Sequence, residues 1–302
     1  MAKNVTPEMQ AINKKNFSGG KRKVSSPAQE AWRRLLRNKL SIVGMAILAL
    51  LIFCAIFAPY ITPYKYDQID PLSINQMPSS AHWFGTDQVG RDLFSRCLYG
   101  ARITLPIAFL AVVVAIGIGG TLGVISAYFG GTFDNIVMRI IDVWGSIPGM
   151  MLSIAIVACL GNNMMTIVIG LSLGAVPNMA RTFRGAIFTV VDNDYTESSR
   201  AIGAGNMRIM FLHLLPNAVG PVILAVVNLL SIEVLCVSTL SFLGVGINPP
   251  EPEWGALLSA GKEYLSTYPH LCIFPGVMIM LSVLGFNLLG DGLRDALDPR
   301  LK

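Results

Sequence analysis

Five stretches of this 302-residue chain run for twenty residues or more with almost no charge: Leu40 to Tyr60, Ile103 to Phe133, Val143 to Ala180, Pro216 to Gly246 and Leu271 to Gly290. Only the fourth holds an ionisable acid, Glu233. About twenty apolar residues in a helix cross a hydrocarbon layer of ~30 Å. The third stretch is too long for one helix, and Gly161-Asn162-Asn163 divides it into a hairpin. The expectation is an all-α polytopic membrane protein with six transmembrane helices. Composition agrees, because 14% charged residues lies well below the about 25% of soluble domains.

The first 39 residues hold ten Lys and Arg against Glu8 and Glu30. They read as a flexible tail followed, from Pro27, by a basic amphipathic helix on the membrane surface with Trp32, Leu35 and Leu36 toward lipid. Span one follows over residues 40–60 as an uncleaved anchor, since the tail is too long for a signal peptide and no small-x-small site follows. Residues 61–102 are an extracytoplasmic segment, residues 103–292 a five-helix core, and residues 293–302 a cytoplasmic C-terminus. Asp134 and Arg139 mark a short turn before span three, and Pro148 bends it. Glycine pairs four apart, Gly119/Gly123, Gly145/Gly149 and Gly170/Gly174, predict close helix approach. With both termini in the cytoplasm, 18 Lys and Arg face inward and 5 outward, as the positive-inside rule requires.

Residues 193–217, NDYTESSRAIGAGNMRIMFLHLLPN, form a polar island that reads as two short helices. Asp194 with Glu197 has capping-box spacing, and Gly203 and Gly205 end the first helix with a left-handed turn. Asn206 caps a second helix, whose Met207, Met210, Phe211 and Leu214 fall at i, i+3, i+4, i+7 and predict a largely buried segment. Pro216 fits the first turn of the next helix.

This segment resembles the EAA loop of ABC-importer permeases, Glu-Ala-Ala-x-x-x-Gly followed after a gap by Leu-Pro, through Glu197, Ser198, Ser199, Gly203, Leu215 and Pro216. Serines replace both alanines. The resemblance implies a coupling helix seated in a cleft of a cytoplasmic ATPase subunit. Glu197 would be its polar contact, Ser198 and Ser199 small packing faces and Gly203 the turn, with Gly205 and Arg208 on the same ATPase-coupling surface. HWFGTDQVGRDLFSR, residues 82–96, is similar to the FGTD-x-x-GRD-x-x-SR signature of dipeptide, oligopeptide and nickel permeases. It marks Gly85, Thr86, Asp87, Gly90, Arg91, Asp92 and Arg96 as an elbow that orients span two, helical from about Gln88. NPPEPEWGALLSAG and the closing GDGLRDALDPRLK resemble the same family.

The resemblance implies the second, C-type permease of such an importer, with the type I permease fold. It also implies a second homologous permease, two ABC ATPase subunits and an extracellular substrate-binding protein, all in or at a bacterial or archaeal cytoplasmic membrane. Gly255 to Lys262 is a poor phosphate loop, with five residues between its glycines and Glu263 in place of Ser or Thr. No cofactor is therefore expected in this chain, and ATP and Mg belong to the partners. The chain would be non-catalytic, since His82, His213 and His270 lie in three different segments and the five cysteines stand apart, which also argues against a metal. The basic excess sits in the tail, so nucleic acid is not a partner. Asn228 and Glu233 are candidates for the translocation path, because intramembrane polar groups are rare and functional. Short peptides are the expected substrate. Nickel uptake by the same architecture is the alternative, and a carrier or channel without an ATPase is the rival from another class.

Overall fold

The computed structural model describes residues 27–297, so the tail over residues 1–26 and the final residues 298–302 lie outside it. The described chain is helical, with one isolated bridge between Thr86 and Asp92. Helix α1 (Pro27–Leu35) leads into α2 (Lys39–Ile61), where Asn38 caps the start by accepting from the Leu40 and Ser41 amides. Trp32 and Leu36 are exposed, as expected, but Leu35 is buried, 3.3 Å from where a Cβ on Gly292 would stand. Helix α1 therefore turns one apolar edge to the protein rather than all of them to lipid.

Helix α3 (Leu93–Phe129) starts later than the predicted elbow helix at Gln88 and earlier than the predicted span at Ile103. Asp92 sets that start by accepting from the Ser95 amide at 2.8 Å. A π-helical turn, Ile116–Gly120, interrupts α3. Helices α4 (Gly131–Gly145) and α5 (Gly149–Leu160) are bent by 71°. The break falls where Pro148 cannot donate a helical hydrogen bond. Asp134 and Arg139 thus lie on a helix, not on the predicted turn. The turn comes earlier, at Gly130 and Gly131, whose φ angles of 61° and 55° suit glycine alone.

Asn163 caps α6 (Met164–Phe188) and closes the predicted hairpin with α5. Helix α7 (Asp194–Ala201) and a short irregular helical stretch connect α6 to α8 (Val219–Phe242). Then come α9 (Trp254–Gly261) and α10 (His270–Leu297). Five helices are long and apolar enough to cross a membrane, or six if the bent pair α4 and α5 is one span.

Apolar packing divides into two clusters. One joins the start of α3 and of α10 to the end of α8 around Leu93, Ile107, Leu240, Trp254 and Leu271. The other joins the end of α3 and of α6 to the start of α8 around Val124, Met179, Phe183, Ile187 and Val222. Helix α3 reaches both, so it runs the length of the bundle. The α5/α6 hairpin depends on small residues: a Cβ on Gly174 would lie 2.9 Å from the Gly149 carbonyl oxygen. Ser153 Oγ donates to the Gly170 carbonyl at 2.9 Å along the same seam.

Backbone cannot yield as a flexible side chain does. Gly174→Ala is therefore expected to lower stability by about 1–3 kcal/mol through overpacking. Gly185→Ala, on the same helix with nothing within 4 Å of the added Cβ, should hold or raise it. Thermal unfolding of the purified variants in detergent compares the two.

Candidate functional site

Helix α7 presents a polar face. Glu197, Ser198 and Arg200 are exposed, Ser199 is half-buried, and Thr196 is buried beneath them. Asn193 occupies the N-cap position with no side-chain bond, so Asp194 and Glu197 sit in the first turn and the predicted capping box does not form. Glu197 is therefore exposed in the first turn without a capping bond. The serine hydroxyls bend back along the helix, Ser198 to the Asp194 carbonyl at 2.8 Å and Ser199 to the Tyr195 carbonyl at 2.7 Å.

The helix ends in a Schellman turn. The Ala204 amide donates to the Ser199 carbonyl at 3.1 Å and the Gly203 amide to the Arg200 carbonyl at 2.9 Å. Gly203 has φ +80°, while Gly205 has φ −66° and opens the next helical stretch instead of sharing the turn. Asn206 is consequently inside that stretch and does not cap it.

From Asn206–Arg208 the chain passes into a π-helical segment, Ile209–Leu214, and then Leu215–Asn217. The wider turn shifts the buried face. Ile209, Met210 and Leu214 are buried, whereas Met207 is 63% exposed, against the pattern predicted for an α-helix. Arg208 is exposed and Pro216 lies in the first turn of Leu215–Asn217, as expected. Ile202 is 85% exposed at the tip of the turn. Its apolar side chain beside Gly203 was the signal that sequence reasoning passed over.

The loop stands on α3. Tyr128 donates its hydroxyl to Asn206 Oδ1 at 2.9 Å, and the Arg200 guanidinium lies 5.0 Å above its ring. Close by, Asp134 receives Arg184 through two bonds of 2.6 and 2.5 Å and also accepts from Ser126. These bonds tie α3, α4 and α6 together beneath the loop. Sequence reading gave Tyr128, Arg200 and Asn206 no such contact, although Tyr128 is the one phenolic group in the uncharged run 103–133.

At the other end of the bundle, six of the seven elbow residues, Gly85 to Asp92, form a tight non-helical turn, and Arg96 follows in the first turn of α3. Asp87 accepts from the Val89 and Arg91 amides at 3.0 and 2.9 Å and from Arg91 Nε at 2.7 Å. A carboxylate that binds its own backbone in this way competes with helix formation. Gly85 and Gly90 have φ of 80° and 79°, and a Cβ on Gly90 would strike the Asp70 carbonyl. Thr86 donates to the Ser73 carbonyl and accepts from the Gln76 amide. Asp92 also takes His82 Nδ1 at 2.9 Å. Arg96, 3% exposed, reaches the Tyr66 carbonyl at 3.0 Å. A polar cavity of about 270 Å³ lies alongside, lined in part by Asp70, His82 and Asp92. Asp70 is bound to Ser73 and to the Leu72 amide, which hold its carboxyl below the usual range. Internal partners of this kind make a scaffold.

Glu233 and Asn228 do not converge. Glu233 is 4% exposed with Oε2 unpartnered, whereas Asn228 is exposed, its Oδ1 3.1 Å from where a Cβ on Gly290 would stand. Among the described residues no three His, Cys, Asp or Glu side chains are grouped to hold a metal ion.

Glu253, fully buried, caps α9 by accepting from the Ala256 amide at 2.9 Å and takes the Thr104 hydroxyl at 2.9 Å. Trp254 follows and donates Nε1 to the Cys97 carbonyl at 2.8 Å. Helix α9 is thereby pinned to α3.

Two sequence profiles match the chain. One is described as "Binding-protein-dependent transport system inner membrane component" and covers residues 119–302. The other is "N-terminal TM domain of oligopeptide transport permease C" and covers residues 26–78. The glutathione transport system permease protein GsiD of Pectobacterium atrosepticum is 42% identical over 280 residues, 92% of this chain and 93% of that protein. The dipeptide transport system permease protein DppC of Alkalihalophilus pseudofirmus is 42% identical over 277 residues, 92% of this chain and 91% of that protein. An inward-facing structure of the MetNI methionine ABC transporter shares the fold with TM-score 0.56 at 21% identity, over 67% of this chain and 96% of that one. A crystal structure of an amino acid ABC transporter with histidines gives 0.51 at 17% identity, over 67% and 94%.

Burial pushes the Glu253 carboxyl above its ordinary range, against the pull of its hydrogen bonds. The folded state then holds the proton more tightly than the unfolded state, so this group's contribution to stability falls as pH rises through the folded-state pKa. Glu253→Gln keeps an acceptor for the Ala256 amide and offers Thr104 a donor. The variant should gain stability relative to wild type as pH is raised from about 4. Thermal unfolding at a series of pH values reads the difference, and a gap that closes with rising pH would show the carboxylate to be stabilised by its donors.

Proposed function

Because the chain belongs to the family of binding-protein-dependent transport system inner membrane components, a multi-pass permease family, we propose that it is the second, C-type permease of an ABC importer for short peptides. The observation that carries this reading is the loop: an exposed polar helix closed by a Schellman turn and mounted on a buried π-helical stalk. The α4/α5 pair crosses the membrane as one bent span, giving six, and both termini lie in the cytoplasm in the type I arrangement. The surplus of Lys and Arg on the loop side supports that orientation.

In this reading a homologous permease lies beside the chain, two ATPase subunits bind the loops from the cytoplasm, and a binding protein delivers substrate to the hairpin end. Glu197 offers a hydrogen-bonding contact to the ATPase, and Ser198 and Ser199 keep the face flat. Gly203 makes the turn that brings Ile202 forward as an apolar knob, with Gly205 and Arg208 behind it. ATP binding, with Mg on those partners, draws the coupling helices together and switches the cavity between its inward- and outward-facing forms. Hydrolysis resets it. Gly85, Thr86, Asp87, Gly90, Arg91, Asp92 and Arg96 hold the outer end of α3 still while its inner end moves. Glu233 and Asn228 contribute separately to the path, Glu233 as a buried acceptor with one free oxygen.

Peptides are favoured over nickel because the relatives are named for glutathione and a dipeptide, and the N-terminal profile for an oligopeptide permease. Reconstituted in nanodiscs with its partners and binding protein, the complex should hydrolyse ATP faster with a mixture of short peptides and not with nickel ions. Stimulation by nickel alone would overturn the substrate, and purification without any ATPase would favour a carrier. Gly203→Asp should insert normally yet lose peptide stimulation, because it adds charge and backbone strain at the turn. Full stimulation in that variant would sink the coupling role.

A further inference from the structure

Tyr128 lies in the last full turn of α3 and is 8% exposed. Its two polar contacts come from opposite sides of the turn at Gly203: Arg200 lies in the last turn of α7, and Asn206 is the first helical residue of the following stretch. One side chain of α3 therefore grips both halves of the loop. One half-turn earlier, Ser126 donates to Asp134, and the Asp134–Arg184 pair carries the connection on to α6. About two turns back along α3 lies the π-helical segment Ile116–Gly120, and the loop's own stalk is π-helical over Ile209–Leu214. Such turns are rare inside α-helices and are frequently found at functional sites. Immediately after Phe129 the chain turns left-handed at Gly130 and Gly131, which frees the end of α3 from the direction of α4.

We propose that Tyr128 is a positioning residue for transport, the joint through which a displacement of the 193–217 loop reaches α3 and its π-helical segment. This rests on the coupling role of the loop. The hydrogen bond and the cation–π contact are directional, and they set where the loop sits along α3. Without them, contact depends on the apolar stalk residues Ile209, Met210 and Leu214, which can slide.

The test uses the assembled transporter in proteoliposomes with its binding protein and peptide, measuring peptide imported per ATP hydrolysed beside basal hydrolysis. Tyr128→Leu, which removes both contacts, should lower that ratio about tenfold, while Tyr128→Phe and Asn206→Ala, which remove only the hydrogen bond, should each lower it roughly threefold. The double variant Tyr128→Phe/Asn206→Ala should be no worse than either single one, as for two halves of one bond. A tyrosine needed only for folding would reduce the yield of complex and leave the ratio in what survives at the wild-type value. An unchanged ratio in Tyr128→Phe and Asn206→Ala overturns the joint, whether or not Tyr128→Leu assembles. Wild-type complex that peptides fail to stimulate would instead overturn the transport reading, and the joint with it.

Discussion

A hydrocarbon layer supplies no hydrogen bonds, so each backbone amide and carbonyl inside it must be satisfied by the chain itself. Three departures from the α-helix in this bundle meet that demand in different ways. The π turn at Ile116–Gly120 keeps the ladder of α3 continuous by lengthening it. The break between α4 and α5 ends in Pro148, which has no amide to leave unpaired, and Ser146 covers part of the loss by donating its hydroxyl to the Val143 carbonyl at 2.7 Å. Asn163 closes the α5/α6 turn by accepting from Thr166. At each of these three places a side chain, a longer ring or a missing amide removes the debt.

The same demand divides the labour between the two ends. At the hairpin end Asp87 binds amides within a few residues of itself, while Thr86 and Arg96 donate to carbonyls farther along the chain, and their burial excludes competing water. Removing one partner would strand another buried group, at a cost of about 1–3 kcal/mol each, and this makes the end rigid. At the loop end, polar side chains join separate elements to the loop and beneath it: Tyr128 to Asn206, Arg184 to Asp134. Bonds between elements can transmit a shift, which bonds within one turn cannot do.

Helix placement was legible because lipid enforces it. Runs without charge located α2, α6, α8 and α10, and Gly161-Asn162-Asn163 located the hairpin. Errors arose where a side-chain bond or a change of helical pitch overrode the pattern. The apolar spacing after Gln88 looked helical, but the Asp87 carboxylate captured the amides of Val89 and Arg91. Spacing at i, i+3, i+4, i+7 after Asn206 assumed 3.6 residues per turn, and the π turn moved Met207 outward and Ile209 inward. Asp134 and Arg139 looked like turn residues because charges are rare here, whereas Asp134 was placed by Arg184, fifty residues away. Partners so distant in sequence leave no local trace. For the loop, the positions of Glu197, Ser198, Ser199 and Gly203 were legible as a motif, but not the residues that hold it to α3.

The proposed transmission through the loop also has an energetic requirement. A ligand or subunit moves a two-state equilibrium only by the difference in free energy it makes between the states, and a near-complete switch needs about 5.5 kcal/mol. Burial of Ile209, Met210 and Leu214 is large in total, yet it is similar for small displacements along an apolar surface, because dispersion and burial are non-directional. What differs sharply between positions is a hydrogen bond or a ring under a guanidinium, each of which weakens with small misalignment. The contacts of Tyr128 are therefore small in the stability of the fold and large in its discrimination between loop positions. Those are the properties that the joint proposed for Tyr128 requires.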